Sequence, residues 1–207
     1  MEEKITKQRA LELWDSGKIN EFEVGSTRGL QDIHSYLFHG LKGYGAGEIR
    51  EVNMSKGAFR FASALYLTDV LKTVEAMPEA TFEQIMDKYI EMNVAHPFKE
   101  GNGRSTRIWL DLILKKNLGI CIDWEKIDKN DYLRFMELSP IDGKYIKMLL
   151  KDSLTDNINS RTVYMKGIDR SYEYESEDAI SIFEIDQSNH HISNKSKTKN
   201  GNHELER

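Results

Sequence analysis

With 207 residues, 39% of them hydrophobic, and a formal charge of −5, the chain has material for one domain with a full core and the wrong sign of charge for direct nucleic-acid binding. Cys121 is the only cysteine, which excludes an intramolecular disulfide framework and a thiolate zinc site. No apolar stretch is long enough to span a bilayer, and the first residues carry Glu2, Glu3, Lys4, Lys7 and Arg9 instead of the apolar run of a signal peptide, so a cytoplasmic location without membrane contact is expected.

Helical spacing dominates the chain. Ile5, Arg9 and Leu13 with Ala10 and Trp14 predict a first short helix ended by Gly17, and Thr27 opens a second through Leu30, Ile33, His34 and Leu37 that stops near Gly40. His34 and His39 have no third ligand at metal spacing and read as structural or solvated. Gly43, Gly45 and Gly47 break the pattern; within Glu48 to Phe61, Ser55-Lys56-Gly57 separates two short extendable runs, which suits either a small hairpin or a plain loop. A helix from Ala62 to Met77 follows. Thr81 with Gln84 forms a capping-box pattern, and Ile85, Tyr89, Met92 and Val94 mark the helix whose end delivers His96, with Pro97 preventing its continuation. The next helix, from Arg104 to Leu118, is apolar on most sides and is expected to be buried, with Gly119 as its stop; the tyrosine, methionine and tryptophan residues of this pair read as core. Trp124, Ile127, Tyr132, Phe135 and Met136, then Ile146, Leu149 and Leu150, predict two more helices separated by Pro140 and Gly143. A last helix is expected after Gly167, at about 168–185, with Ser171 near its cap. The expectation is therefore a single all-α domain over residues 1–185. A disordered polar tail is expected over 186–207, beginning at Asp186, in which His190 and His191 have no role.

The densest chemistry lies in His96 to Arg107, which read H-P-F-K-E-G-N-G-R-S-T-R. His96 titrates near neutrality and can take a proton from a hydroxyl nucleophile, a role worth about 10²–10⁴ in rate. Glu100 is a hard oxygen ligand of the kind Mg²⁺ accepts beside substrate phosphates. Gly101 and Gly103 allow close backbone approach and positive φ, and the helix start behind them offers unpaired N–H groups to an anion. Arg104 and Arg107 lie at i, i+3, so their forks can grip two phosphates, and Asn102 can orient an oxygen of the phosphate under attack. Any one of these residues alone has a structural explanation; together they suit a nucleoside triphosphate with its metal.

The run resembles the signature of the Fic (filamentation induced by cAMP) family, H-P-F-x-[D/E]-G-N-G-R-x-x-R, at every defined position. The resemblance implies transfer of AMP from ATP to a tyrosine, serine or threonine hydroxyl of a target protein, with release of pyrophosphate. It implies that His96 deprotonates the target, Glu100 holds Mg²⁺ on the α- and β-phosphates, Asn102 contacts the α-phosphate, Gly101 and Gly103 line the anion hole, and Arg104 and Arg107 hold the β- and γ-phosphates. It implies a helical bundle with a small β-hairpin flap near the site, in which Asn53, Met54, Ser55, Lys56, Gly57, Ala58 and Phe59 dock the target by strand addition. Relatives usually carry an aromatic residue where this chain has Gly45, before Ala46-Gly47, and Tyr44 stands next to it. The resemblance covers most of residues 20 to 170.

Ser171-Tyr172-Glu173-Tyr174-Glu175 matches the family's C-terminal inhibitory pattern [S/T]-x-x-x-E, although Ser176 replaces the usual following Gly or Asn. The resemblance implies that Glu175 pairs with Arg107 and obstructs the γ-phosphate, and that the chain forms a homo-oligomer. Tyr172 and Tyr174 are expected sites of self-modification, with Tyr172 preferred. Some bacterial relatives modify a type II topoisomerase subunit such as DNA gyrase B, which makes that class the expected target. Removal of AMP, with Glu175 positioning water, is the alternative reaction; Gly103 argues against phosphoryl transfer, for which relatives carry Lys there. A non-catalytic interaction module is expected to have lost His96 or Glu100, and this chain keeps both.

Overall fold

Capping chemistry sets where the first helices begin and end. Helix α1 (Glu2–Asp15) stops before Gly17, which sits in the left-handed region. Helix α2 (Thr27–Phe38) starts where the Ser26 hydroxyl accepts the Gly29 N–H. The computed structural model describes residues 2–57, 59–174 and 181–187, so the expectations for Ala58, Glu175, Ser176, His190 and His191 lie outside the described residues.

The expected hairpin forms, with β1 (Ser55–Lys56) antiparallel to β2 (Phe59–Arg60) and Ser55 opposite Arg60. Helix α3 (Leu67–Glu75) is shorter than the predicted Ala62 to Met77. Its first residues are claimed by the loop: the Ala62 N–H donates to Val94 O and the Ala64 N–H to Asn53 Oδ1, leaving only a 3₁₀ turn over Ala64–Tyr66. Helix α4 (Phe82–Ala95) begins with the complete Thr81/Gln84 capping box. Helix α5 (Asn102–Leu118) starts two residues before the predicted Arg104, and Gly119 closes it at φ 66°.

Strand β3 (Cys121–Ile122) leads into α6 (Lys129–Leu138) and α7 (Lys144–Lys151). It pairs antiparallel with β4 (Leu154–Thr155), a ladder that the sequence did not suggest. Helix α8 (Arg161–Glu173) is capped by Ser160, so it starts well before the predicted 168, and Ser171 lies in its final turns instead of at its cap. Gly167, expected to precede the helix, is interior to α8. A Cβ there would lie 3.0 Å from Cδ1 of Trp124, so the glycine serves close packing of helix on indole.

Helix α5 is the central element, packed on α2, α4 and α8, with Trp109, Leu110, Ile113 and Leu114 fully buried and the Trp109 indole donating to Ser26 O. Tyr89 and Met92 are core, as the helical spacing predicted. Lys7 is the buried tie between the ends of the chain: it pairs with Asp169 at 2.8 Å and Glu3 at 3.1 Å. Asp169 in turn accepts the Ser181 hydroxyl and the Ile182 amide. Asp186, read from sequence as the head of the polar tail, forms an ion pair with Arg161 at 2.9 Å at the end of a helical turn over 182–187. Among the described residues no helix is long and apolar enough to cross a membrane.

Candidate active site

Pro97 forbids a further turn of α4, and His96 leaves the helix in the left-handed region at φ 48°, the only non-glycine among the described residues with positive φ. Such a conformation costs on the order of 1–3 kcal/mol and persists only where the surroundings hold it. Here Phe61 stacks on the imidazole at 3.7 Å between ring centres, and Arg50 grips the His96 carbonyl at 2.6 Å. Burial, reinforced by the charges of Arg50 and Lys56, pushes the His96 pKa down to about 4. The imidazole is therefore neutral at physiological pH, the state a general base needs.

The loop after His96 is pinned from two sides. Asn102 closes it on itself, its Oδ1 accepting the Phe98 N–H at 2.9 Å and its Nδ2 donating to Phe98 O at 2.7 Å. The carboxamide therefore clamps the loop and has one N–H remaining for a phosphate contact. From the other side, His34 donates from Nε2 to the Glu100 carbonyl at 2.8 Å while its Nδ1 accepts the Gly47 N–H at 2.9 Å. Burial pushes the His34 pKa to about 4, which keeps the neutral tautomer this bridge requires. His34 is structural, as expected, but the structure it serves is the candidate site.

The two glycines have different roles, which the sequence could not separate. Gly101 has φ 74°, and a Cβ there would lie 2.5 Å from the Phe38 ring. Gly103 is helical; its missing Cβ leaves room for the Arg107 guanidinium, which would otherwise be 3.1 Å away. Gly101→Ala is expected to lower stability by about 1–3 kcal/mol through strain alone, and nucleotide affinity at least tenfold. Thermal unfolding and calorimetric titration with ATP check this; a variant matching the parent in both contradicts the geometry.

The first intrahelical bond of α5 runs from Ser105 N to Gly101 O, so the helix start faces the loop with its N-terminal amides, a ready anion cradle. Glu100 is exposed beside this cradle. Glu100 offers one exposed carboxylate there, and among the described residues no group of three or more His, Cys, Asp and Glu is placed to hold a metal.

Neither arginine is the solvated surface group that helical spacing alone would suggest. Arg104 is buried among Phe38, Tyr44 and Tyr172, at 4.8, 5.4 and 5.1 Å from the ring centres, and donates to the Tyr44 hydroxyl at 3.0 Å. Tyr44 stacks on Phe38 and bonds Glu2, so it supplies the aromatic side chain that Gly45 lacks. Arg107 donates from Nε to the Ser171 hydroxyl at 2.7 Å and from a terminal nitrogen to the Ser171 carbonyl at 3.0 Å, with the Tyr174 ring 5.0 Å away. The last turns of α8 therefore lie over both arginines. Tyr172 and Tyr174 are both buried; the Tyr172 hydroxyl bonds Thr6, whereas that of Tyr174 has no hydrogen-bond partner among the described residues. The contacts of Arg50, His34 and Tyr44 with the site could not be read from sequence, because their partners lie far away in the chain.

Residues 25–114 match the model of the Fic/DOC family. Over 177 residues the chain is 28% identical to the protein adenylyltransferase VbhT of Bartonella schoenbuchensis, covering 72% of this chain and 35% of that protein. Over 111 residues it is 29% identical to the probable protein adenylyltransferase Fic of Escherichia coli K12, covering 48% of this chain and 54% of that protein. The chain thus spans between about a third and about half of the length of these curated relatives. Among solved structures, the N-terminal Fic domain of a Bartonella effector protein from Bartonella sp. AR 15-3 superposes with a TM-score of 0.62 at 17% identity, covering 75% of this chain and 83% of that one. The BepC protein of Bartonella tribocorum with bound AMPPNP gives 0.57 at 18% identity, covering 73% and 83%. The stretch that matches the Fic/DOC model contains the whole run from His96 to Arg107, on a helical frame shared with these solved structures.

Proposed function

We propose that the protein is an auto-inhibited adenylyltransferase that moves AMP from ATP to a hydroxyl side chain of a target protein. The observation carrying this reading is the pairing, within twelve residues, of a neutral, half-buried imidazole with a helix N-terminus that presents two buried guanidiniums. His96 accepts the proton of the target hydroxyl as its oxygen attacks the α-phosphorus; the bond to the β-phosphate oxygen breaks and pyrophosphate leaves. Arg104 and Arg107 bind the β- and γ-phosphates, and Asn102 and His34 hold the loop so that the cradle is preorganised. Glu100 would hold Mg²⁺, which would supply charge neutralisation at the phosphates. The hairpin over Asn53 to Phe59 aligns the target by backbone pairing. The match of residues 25–114 to the Fic/DOC model and the relatives bearing the name protein adenylyltransferase support the reaction class.

Ser171 and the rings of Tyr172 and Tyr174 occupy the two arginines, which supports α8 as the brake; Glu175, outside the described residues, is proposed to complete it. Self-modification at Tyr172 or Tyr174 requires the last turn of α8 to unwind, because both hydroxyls are buried. Among the described residues the Tyr172 hydroxyl has a hydrogen bond to give up and the Tyr174 hydroxyl has none, which favours Tyr174 as acceptor. Parallel reactions with α-labelled and γ-labelled ATP test the chemistry. Protein-bound label from the α position alone is expected; label from the γ position would mean phosphoryl transfer and would sink the reading.

A further inference from the structure

Arg50 is only 2% exposed, and its guanidinium is shared among carbonyls from three segments. Nε donates to His96 O at 2.6 Å, one terminal nitrogen to both Ala62 O at 2.6 Å and Ala95 O at 3.0 Å, and the other to Val52 O at 2.6 Å. Its own backbone N–H donates to Pro97 O at 2.8 Å. Ala95 and His96 end α4, where carbonyls lack intrahelical partners and the helix dipole favours a cation. Val52 and Ala62 flank the hairpin on either side. One side chain therefore fastens the strained end of the catalytic helix to both legs of the flap, and only a planar fork with five donors can span that set.

We infer that Arg50 is the positioning residue of the site, which holds His96 in its left-handed conformation and fixes the hairpin against it, so that base and docked hydroxyl share one frame. The inference rests on the transferase reading for its kinetic consequence, but not for its geometry. The guanidinium also acts on the imidazole through its charge: together with burial and Lys56 of β1, Arg50 favours the neutral form, against a hydrogen bond to the Asn93 backbone that favours the charged one. The remaining face of the ring is covered by Phe61, which carries no charge.

Two variants separate fork from charge in the full chain. Arg50→Lys keeps a cation on a buried stem but cannot reach four carbonyls; Arg50→Met removes the charge as well. Both are expected to lose at least thirtyfold in target labelling, measured in a Glu175→Gly background, while ATP affinity stays within threefold of that background. Both are expected to lose amide-exchange protection at Phe61 and Ala62, whose N–H groups donate to Met54 O and Val94 O. In Arg50→Met alone, the His96 pKa followed by NMR of labelled histidine is expected to rise by about half a unit or more. Unchanged labelling and exchange would overturn the inference. So would unfolding of both variants, or an equal fall in ATP affinity, either of which would make Arg50 a general stabiliser. A Glu175→Gly parent that transfers no AMP would instead count against the transferase reading, because titration and exchange need no turnover.

Discussion

Replacing Ser171 by alanine is expected to tighten ATP binding about tenfold to a hundredfold and to raise AMP transfer by the same factor at subsaturating ATP. Arg107 spends two donors on Ser171, one on its hydroxyl and one on its carbonyl. A hydrogen bond to a charged group contributes about 1.5–3 kcal/mol, and each tenfold change in affinity corresponds to about 1.4 kcal/mol. Removing the hydroxyl leaves the carbonyl contact intact, so release is partial and the helix remains in place. Adding Glu175→Gly is expected to raise activity further if that carboxylate completes the brake. Calorimetric titration with ATP decides the matter: a folded Ser171→Ala chain that binds ATP no better than its parent would show that Arg107 is not restrained by α8.

His96→Ala is expected to lower transfer by about 10²–10⁴, the usual share of a general base. The pH profile of the parent is the sharper test of how the site is built. Because the imidazole pKa is depressed from 6.5 to about 4, the proton-accepting neutral form persists well into acid. The logarithm of kcat/KM is therefore expected to be flat from about pH 8 to pH 5 and to fall one unit per pH unit only below about 4. An acid limb centred near 6.5 would mean that the base is solvated in the working enzyme, and that the packing of Phe61 and the charges of Arg50 and Lys56 do not act on it as described.

What could be read from the chain in advance was whatever sits close together in sequence. The chemistry from His96 to Arg107 occupies a single turn and helix start, and the Thr81/Gln84 box and Gly119 stop involve contacts three or four residues apart. Ends that depend on distant partners were misplaced. Helix α3 begins late because Asn53, eleven residues earlier, takes the Ala64 amide. Gly167 reads as the boundary before the last helix because a lone glycine gives no sign that an indole more than forty residues away will pack against it. The two-residue ladder of β3 with β4 has no periodicity to detect. The same limit hid the groups that shape the site: His34 meets Glu100 across 66 residues, Tyr44 meets Arg104 across 60, and Arg50 meets His96 across 46. An arginine in a loop reads as solvated until the carbonyls that surround it are known.

Incorporation of AMP from α-labelled ATP and Mg²⁺ should be compared in the parent, Glu175→Gly and Glu175→Gly/His96→Ala chains, with lysate proteins and the protein itself as acceptors. Weak labelling that rises in the single variant and disappears in the double one is the predicted result. Equal labelling in single and double variants, or none in any of the three, would contradict an auto-inhibited adenylyltransferase that uses His96 as its base.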